Sequence, residues 1–364
     1  MLKHSFELQT KSEDSVMARG KGRGRKPFIP FKRKCIYCLV EKEPKDFNKE
    51  HVVPSLMGGF EQGMTIKSCC TDCNTYFGTH VDPVLAEDSY EAILRCQSGI
   101  KEPTAIDVLR WQRVNITLPL GGWWGGARVK LAWREDRMII EPLAQIGFLR
   151  HSTTSYEYFT LQELAEIRDW DDLSPQNFKV MCQHEEDENK LKEFCQGQFG
   201  EISFKPTEEA PVGKDGQVDV EIMSRIDDLV KRAICKIAFN YLAKVWGPTH
   251  HQKLLDNRFD NIRHFVRAEQ KLESNRFTVK VGNEHSLLKR PPNLGITAHL
   301  IALDHLPNGS LHCRFSPYDH FTYDVTLAEN VEEVLEPVAH AFLYGDGKME
   351  CVPLSELADL IEAK

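Results

Sequence analysis

The spacing of four cysteines constrains this chain more than any other feature of its sequence. Cys35-x-x-Cys38 and Cys70-x-x-Cys73 form two Cys-x-x-Cys pairs, with 31 residues between the pairs. Four thiolates complete a tetrahedral zinc site and leave no position for a substrate, so we expect the zinc ion to be structural. A segment this short cannot build a large hydrophobic core, and the zinc ion would take the place of one.

The other cysteines do not suggest a disulfide framework. Cys69 adjoins Cys70 but is out of register with the pair, so we do not expect it to bind the metal. The N-terminus has no charged stretch followed by an apolar one, and no apolar run approaches the ~20 residues that span a bilayer. We therefore expect a cytoplasmic protein with reduced thiols and no membrane partner. Six further cysteines are predicted to be isolated core or surface residues: Cys96, Cys182, Cys195, Cys235, Cys313 and Cys351.

The residues between and beside the two pairs resemble those of the HNH endonuclease family. Glu50-His51-Val-Val-Pro54 is followed by Gly58-Gly59 and then by Cys70-Thr-Asp-Cys-Asn74. These features occur in the order typical of the four-cysteine, zinc-stabilised branch of that family, over about residues 35 to 80. The resemblance implies a ββα-metal module. The fold class that we predict is therefore α+β, with this module followed by a larger mixed α/β domain.

The resemblance also implies a role for three residues. His51 matches the general base, and Glu50 and Asn74 match the ligands of a catalytic divalent cation. Hydrolysis of a phosphodiester needs a base for water and a cation for the developing negative charge. A histidine titrates near neutral pH, and carboxylate and amide oxygens suit Mg²⁺ or Mn²⁺. His80 is a further candidate metal ligand, with an ordinary surface histidine as the alternative.

The sequence departs from the family pattern at two positions. Members of the family usually carry an Asn-Leu pair before the second Cys-x-x-Cys, and its Asn orients the base. Here Thr65 is the nearest polar residue. The Lys or His often found four residues after the final Asn is Gly78. Gly58-Gly59 predicts a turn that needs a positive φ.

A basic arm precedes the module. Between Met17 and Lys49 eleven Lys or Arg face three acidic residues, although the whole chain has a formal net charge of −8. Residues 1–34 carry too few apolar residues for a core, so we expect a disordered arm; Met17 is an alternative start. The arm resembles an AT-hook, and a solvated basic tail is the alternative. The candidate DNA-binding residues are Arg19, Lys21, Arg23, Arg25 and Lys26.

Beyond the module the chain alternates between helix and strand patterns. Residues 35–82 are predicted to form the zinc module and residues 83–364 a domain of unassigned role, with a loop or linker around 183–220. Arg258, Arg263 and Arg267 are expected on a solvated helix face. Helices are predicted at 83–94, 226–245 (ending at Gly247-Pro248) and 354–363, and hairpins at 129–140, 295–315 and around 345–347.

These features together predict a metal-dependent HNH endonuclease that acts on DNA, and by resemblance its setting is bacterial restriction, anti-phage defence or a mobile element. One alternative is a zinc-stabilised DNA-binding regulator that cuts nothing. Another is a nuclease effector gated by a ligand or protein partner of the C-terminal domain. The sequence leaves open whether the chain forms a homo-oligomer.

Overall fold

A computed structural model describes residues 32–60, 64–167, 170–200, 218–281, 296–332, 336–345 and 348–355. Every strand pair in this part of the chain is antiparallel, and the helices lie outside the sheets, so the fold is α+β. The basic arm falls almost wholly outside these residues, as does most of the helix expected at 354–363. No helix among the residues described is long and apolar enough to cross a membrane.

The zinc module begins with a tight turn. Leu39 N donates to Cys35 O (3.0 Å) and Cys35 N to Val40 O (3.1 Å), with Leu39 at φ 57°. Gly58 has the predicted positive φ, 144°, and a Cβ there would lie 2.5 Å from the Phe60 ring. The elements of the module are β1 (Arg33–Lys34), β2 (Glu41–Lys42), β3 (Glu50–His51), β4 (Thr65–Ile66) and α1 (Thr71–His80).

The helix predicted at 83–94 is two helices, α2 (Pro83–Glu87) and α3 (Tyr90–Gln97). Asp88 breaks it, with φ −153° and ψ 47°. Its Oδ1 accepts hydrogen bonds from Gln112 N (2.7 Å) and Arg113 N (3.1 Å), so a long-range contact holds the backbone away from the helical conformation.

Two small sheets follow, of four strands (order β11-β5-β6-β7) and three strands (order β10-β8-β9). The hairpin predicted at 129–140 is confirmed, because Arg134 pairs with Arg137 across a two-residue turn with positive φ at both positions. Their elements are β5 (Val114–Thr117), β6 (Arg128–Arg134), β7 (Arg137–Pro142), β8 (Gln145–Arg150), β9 (Tyr156–Thr160), α4 (Leu161–Leu164), β10 (Leu173–Met181) and β11 (Glu221–Ser224).

The prediction of a loop or linker around 183–220 was wrong for the first half of that range, which forms helix α5 (Glu185–Phe199). The four acidic residues that suggested a surface loop fill the first turn of this helix, where the helix dipole favours negative charge. Leu191 and Cys195 bury its inner face. Residues 201–217 lie outside the part of the chain that the structure describes.

The C-terminal part is a six-stranded antiparallel sheet, in the order β12-β15-β14-β13-β16-β17. Both predicted hairpins are confirmed: β13 pairs with β14, and β16 pairs with β17 up to Gly345 opposite Lys348. The strands are β12 (Phe277–Val281), β13 (Ile296–His305), β14 (Leu311–Pro317), β15 (Phe321–Ala328), β16 (Val338–Gly345) and β17 (Lys348–Pro353).

Helix α6 (Asp228–Trp246) is the predicted core helix, and a shorter helix, α7 (Asp260–Val266), follows it. The Asp227 carboxylate caps α6 by accepting from Leu229 N and Val230 N, and Gly247 ends the helix at φ 67°. One hydrophobic cluster joins α6, the zinc module and the six-stranded sheet. The predicted boundary at residue 82 falls inside that cluster.

Candidate metal centre and active site

The four predicted zinc ligands come together. The Sγ atoms of Cys35, Cys38, Cys70 and Cys73 all lie within 4.8 Å of one another, and Cys38 Sγ is 3.8 Å from Cys70 Sγ. A tetrahedron with zinc–sulfur bonds of about 2.3 Å has edges of about 3.8 Å, so the cluster fits a structural zinc ion. Cys69 is buried and is not one of the four, as predicted.

Backbone amides and one helix support the cysteine cluster. Cys35 Sγ accepts from Tyr37 N (3.4 Å) and Cys70 N (3.3 Å). Arg263 of α7 is fully buried, and its Nε donates to Ile36 O (3.0 Å), inside the first Cys-x-x-Cys turn. Burial lowers the pKa of Arg263, opposed by the Asp260 carboxylate. The solvated helix face predicted for this arginine was wrong, since the guanidinium binds the backbone of the zinc module.

The remaining cysteines behave as predicted. All six are free thiols. Four of them are buried in hydrophobic clusters. The buried ones are Cys96, Cys195, Cys235 and Cys313, and the partly buried ones are Cys182 and Cys351.

His51 lies on a very short strand pair. Strand β3 pairs with β4 so that Glu50 faces Ile66 and His51 faces Thr65. Adjacent residues of a strand point to opposite faces, and accordingly Glu50 is buried whereas His51 is partly exposed. Thr65, the nearest polar residue to the missing family Asn, therefore sits directly across the ladder from His51.

Asn74 links helix α1 to this strand. Its Nδ2 donates to Asn48 Oδ1 (2.8 Å) and to Lys49 O (2.9 Å), immediately before β3. Its Oδ1 makes neither of these bonds, and the ligand role predicted for Asn74 stays a prediction. Lys49 and Lys67 are exposed, and each adjoins one of the two short strands, Lys49 before β3 and Lys67 after β4.

Glu50 faces the protein interior. It is 3% exposed, and its carboxylate forms an ion pair with Lys236 of α6 and accepts from Asn240 Nδ2 (3.1 Å). Burial raises the pKa of Glu50, although Lys236 opposes this effect. Burial would lower the pKa of Lys236, but the Asp82 and Glu50 carboxylates outweigh it and raise that pKa. The ligand role predicted for Glu50 stays a prediction.

His80 is the last residue of α1 and is exposed. Its ring stacks on Tyr76, with the ring centroids 5.1 Å apart, and its Nδ1 lies 2.7 Å from Thr79 Oγ1. Within the residues described, the four cysteines are the one group of three or more His, Cys, Asp or Glu side chains close enough to share a metal ion. The metal-ligand role of His80 stays a prediction.

Lys236 and Asn240 were missed by the sequence reasoning. They lie four residues apart on α6, and both are fully buried. The available signal was the polarity of two residues on a helix whose apolar residues already surround them: buried polar side chains need partners, and here the partners are in the zinc module.

A two-stranded ladder, a helix that follows it and a four-cysteine zinc cluster define the module as a zinc-stabilised ββα unit, with a histidine and an asparagine at the junction of strand and helix. The comparison with known families agrees with this assignment. Residues 35–89 match the family described as HNH endonuclease, so the chain carries an HNH module. No curated protein and no solved structure matches the chain.

Proposed function

We propose that the protein is a metal-dependent endonuclease that hydrolyses phosphodiester bonds in DNA. The HNH module indicates a nuclease in general. The observation that carries the proposal is the hydrogen bond from Asn74 to Lys49 O, because it brings an amide side chain of α1 to the strand that holds His51. A regulator that only binds DNA would need the zinc cluster but not this junction.

In the proposed reaction the imidazole of His51 takes a proton from the attacking water. The water oxygen bonds to phosphorus as the bond from phosphorus to the leaving sugar oxygen breaks, and solvent protonates that oxygen. Asn74 Oδ1 would hold a divalent cation, Mg²⁺ or Mn²⁺, which when bound supplies stabilisation for negative charge on the phosphate. Lys49 and Lys67 would attract the phosphates that flank the scissile bond. The four thiolates of the zinc cluster take no part, because they fill the coordination sphere of their own metal.

The setting proposed for this activity is bacterial restriction or anti-phage defence. The resemblance of the module to the HNH family supports it, and the basic arm would add affinity for DNA through Arg19, Lys21, Arg23, Arg25 and Lys26. The alternative is a nuclease that is activated by a ligand or protein partner of the C-terminal domain.

Cleavage of plasmid DNA with Mg²⁺ or Mn²⁺ tests the proposal. We expect His51→Ala to lower the cleavage rate by about 10²–10⁴-fold, the usual contribution of a general base, while zinc content stays unchanged. Asn74→Ala should also lower the rate, and a higher concentration of the divalent cation should restore part of it. His250→Ala, at an exposed histidine after α6, is the matched control and keeps full activity. No cleavage by the wild type under any metal or with any candidate activator would support the non-cutting regulator instead. Equal cleavage by the wild type and His51→Ala would overturn the role of His51.

Glu50→Gln decides the role of the second predicted ligand. We expect it to keep measurable cleavage, because the Glu50 carboxylate faces Lys236 and Asn240. A loss as complete as that of His51→Ala, with zinc content and thermal unfolding unchanged and with partial rescue by a higher Mg²⁺ or Mn²⁺ concentration, would support Glu50 as a ligand of the catalytic cation.

A further inference from the structure

Helix α6, far outside the segment that matches the HNH family, reaches the backbone of His51. Asn240 Nδ2 donates to His51 O (3.1 Å) and to Glu50 Oε1 (3.1 Å), and Asn240 Oδ1 accepts from Tyr37 OH (2.7 Å). An Asn side chain has two donor hydrogens and one acceptor oxygen. All three groups are therefore used, and all bind the HNH module.

Lys236 binds the same module one helical turn earlier. Its Nζ lies 2.8 and 2.7 Å from the two carboxylate oxygens of Asp82, and it also contacts Glu50. Lys236 thereby joins β3 to Asp82, which lies just after the end of α1. Each of these charged groups is almost completely buried. If the ion pairs were broken, the charges would remain buried without partners, which is unfavourable.

The strand that carries His51 needs such support. Strands β3 and β4 have two residues each, and a pair so short does not hold its own geometry. General-base catalysis is sensitive to geometry, and a displacement of about 1 Å can cost about 100-fold in rate. The hydrogen bond from Asn240 to the carbonyl of His51 fixes the strand at the residue that carries the candidate base.

We propose that Asn240, supported by Lys236 and Tyr37, is a positioning residue that holds the main chain of His51 in the orientation for catalysis. The inference rests on the proposed nuclease function. It makes α6 part of the active-site framework. It also explains why this otherwise apolar core helix carries two fully buried polar residues, Lys236 and Asn240.

The test uses the full-length, zinc-loaded chain. Asn240→Leu has a similar volume and removes all three hydrogen bonds. The matched control is Tyr241→Phe, the next residue of α6, which is also buried and loses its bond to His340 Nδ1 (2.7 Å) on the six-stranded sheet. Measurements are kcat and KM on plasmid DNA, zinc content and thermal unfolding.

We expect Asn240→Leu to lower kcat by about 100-fold with KM and zinc content unchanged, and Tyr241→Phe to keep kcat within about twofold. A smaller folded fraction would also lower the apparent kcat without changing KM, so kcat is calculated per folded, zinc-loaded molecule from the unfolding curve and the zinc content. If Asn240→Leu does not fold, Tyr37→Phe replaces it, with an expected loss in kcat of roughly fivefold, the equivalent of one hydrogen bond.

Two outcomes overturn the inference and are distinguishable. If the wild type cuts DNA and the Asn240 and Tyr37 variants cut at the wild-type kcat, the positioning role is lost and the nuclease function stands. If the wild type fails to cut under any metal or with any candidate activator, the proposed function is lost and the positioning role with it.

Discussion

The zinc cluster and the His51 strand lie within the same short module, but they depend on different parts of the chain. All four metal ligands fall within residues 35–73, and two backbone amides of the module donate to the Cys35 sulfur. The carbonyl of His51, by contrast, is bound by Asn240, 189 residues away. The scaffold of the module is thus largely local, whereas the orientation of its candidate base is a property of the whole fold.

The largest effect should come from the zinc cluster. Cys70→Ala removes one of four ligands, and structural zinc contributes on the order of 10 kcal/mol to small modules of this kind. We expect zinc to fall from about one atom per chain to nearly none, together with loss of the folded module, measured by metal analysis and proteolysis. Cys69→Ala is the matched control and should keep its zinc. Equal zinc loss in both variants would contradict the four-cysteine assignment.

The second largest loss of stability should follow from breaking the contact between α6 and the module. Lys236→Met leaves the Glu50 and Asp82 carboxylates buried without their cation, which we expect to lower the free energy of unfolding by about 3–5 kcal/mol in urea titrations. Lys231→Met, at a partly buried lysine on the same helix, should cost less than about 1 kcal/mol. If both variants lose only about 1 kcal/mol of unfolding free energy, the module does not depend on its ion pairs with α6 for stability.

A smaller, pH-dependent effect should come from His299 of β13, where the sheet meets the module. His299 Nε2 lies 3.3 Å from Met57 O, and burial lowers the pKa of His299 to about 3. The unfolded chain binds this proton near pH 6.5 and the folded chain only near 3, so the stability due to neutral His299 is complete above pH 6.5 and falls as the pH drops towards 3.

Replacing this histidine should remove that pH dependence. Four aromatic rings surround His299, so His299→Phe suits the site, and we expect its free energy of unfolding to fall less than that of the wild type between pH 6.5 and 4, by up to about 3 kcal/mol. Phe315→Leu, in the same cluster, should shift the whole curve without changing its slope. Parallel curves for the wild type and His299→Phe would refute the effect.

The elements that the sequence predicted well are those whose signal is local. The hairpin at β6–β7 follows from strand alternation and its two-residue turn, and α6 from its apolar repeat and Gly247. The elements that it predicted badly depend on distant partners. Asp88 breaks a helix because residues 112 and 113 bind its carboxylate, and Arg263 is buried because Ile36 O accepts its hydrogen bond.

The sequence by itself predicted the four-cysteine cluster, because its ligands lie at fixed spacing in a short stretch of the chain, and its resemblance to the HNH family gave the candidates Glu50, His51 and Asn74. The tertiary structure decided the orientation of Glu50 and the support of His51. Those depend on Lys236 and Asn240, whose side chains are polar groups buried far along the chain, and only the folded core shows which groups become their partners.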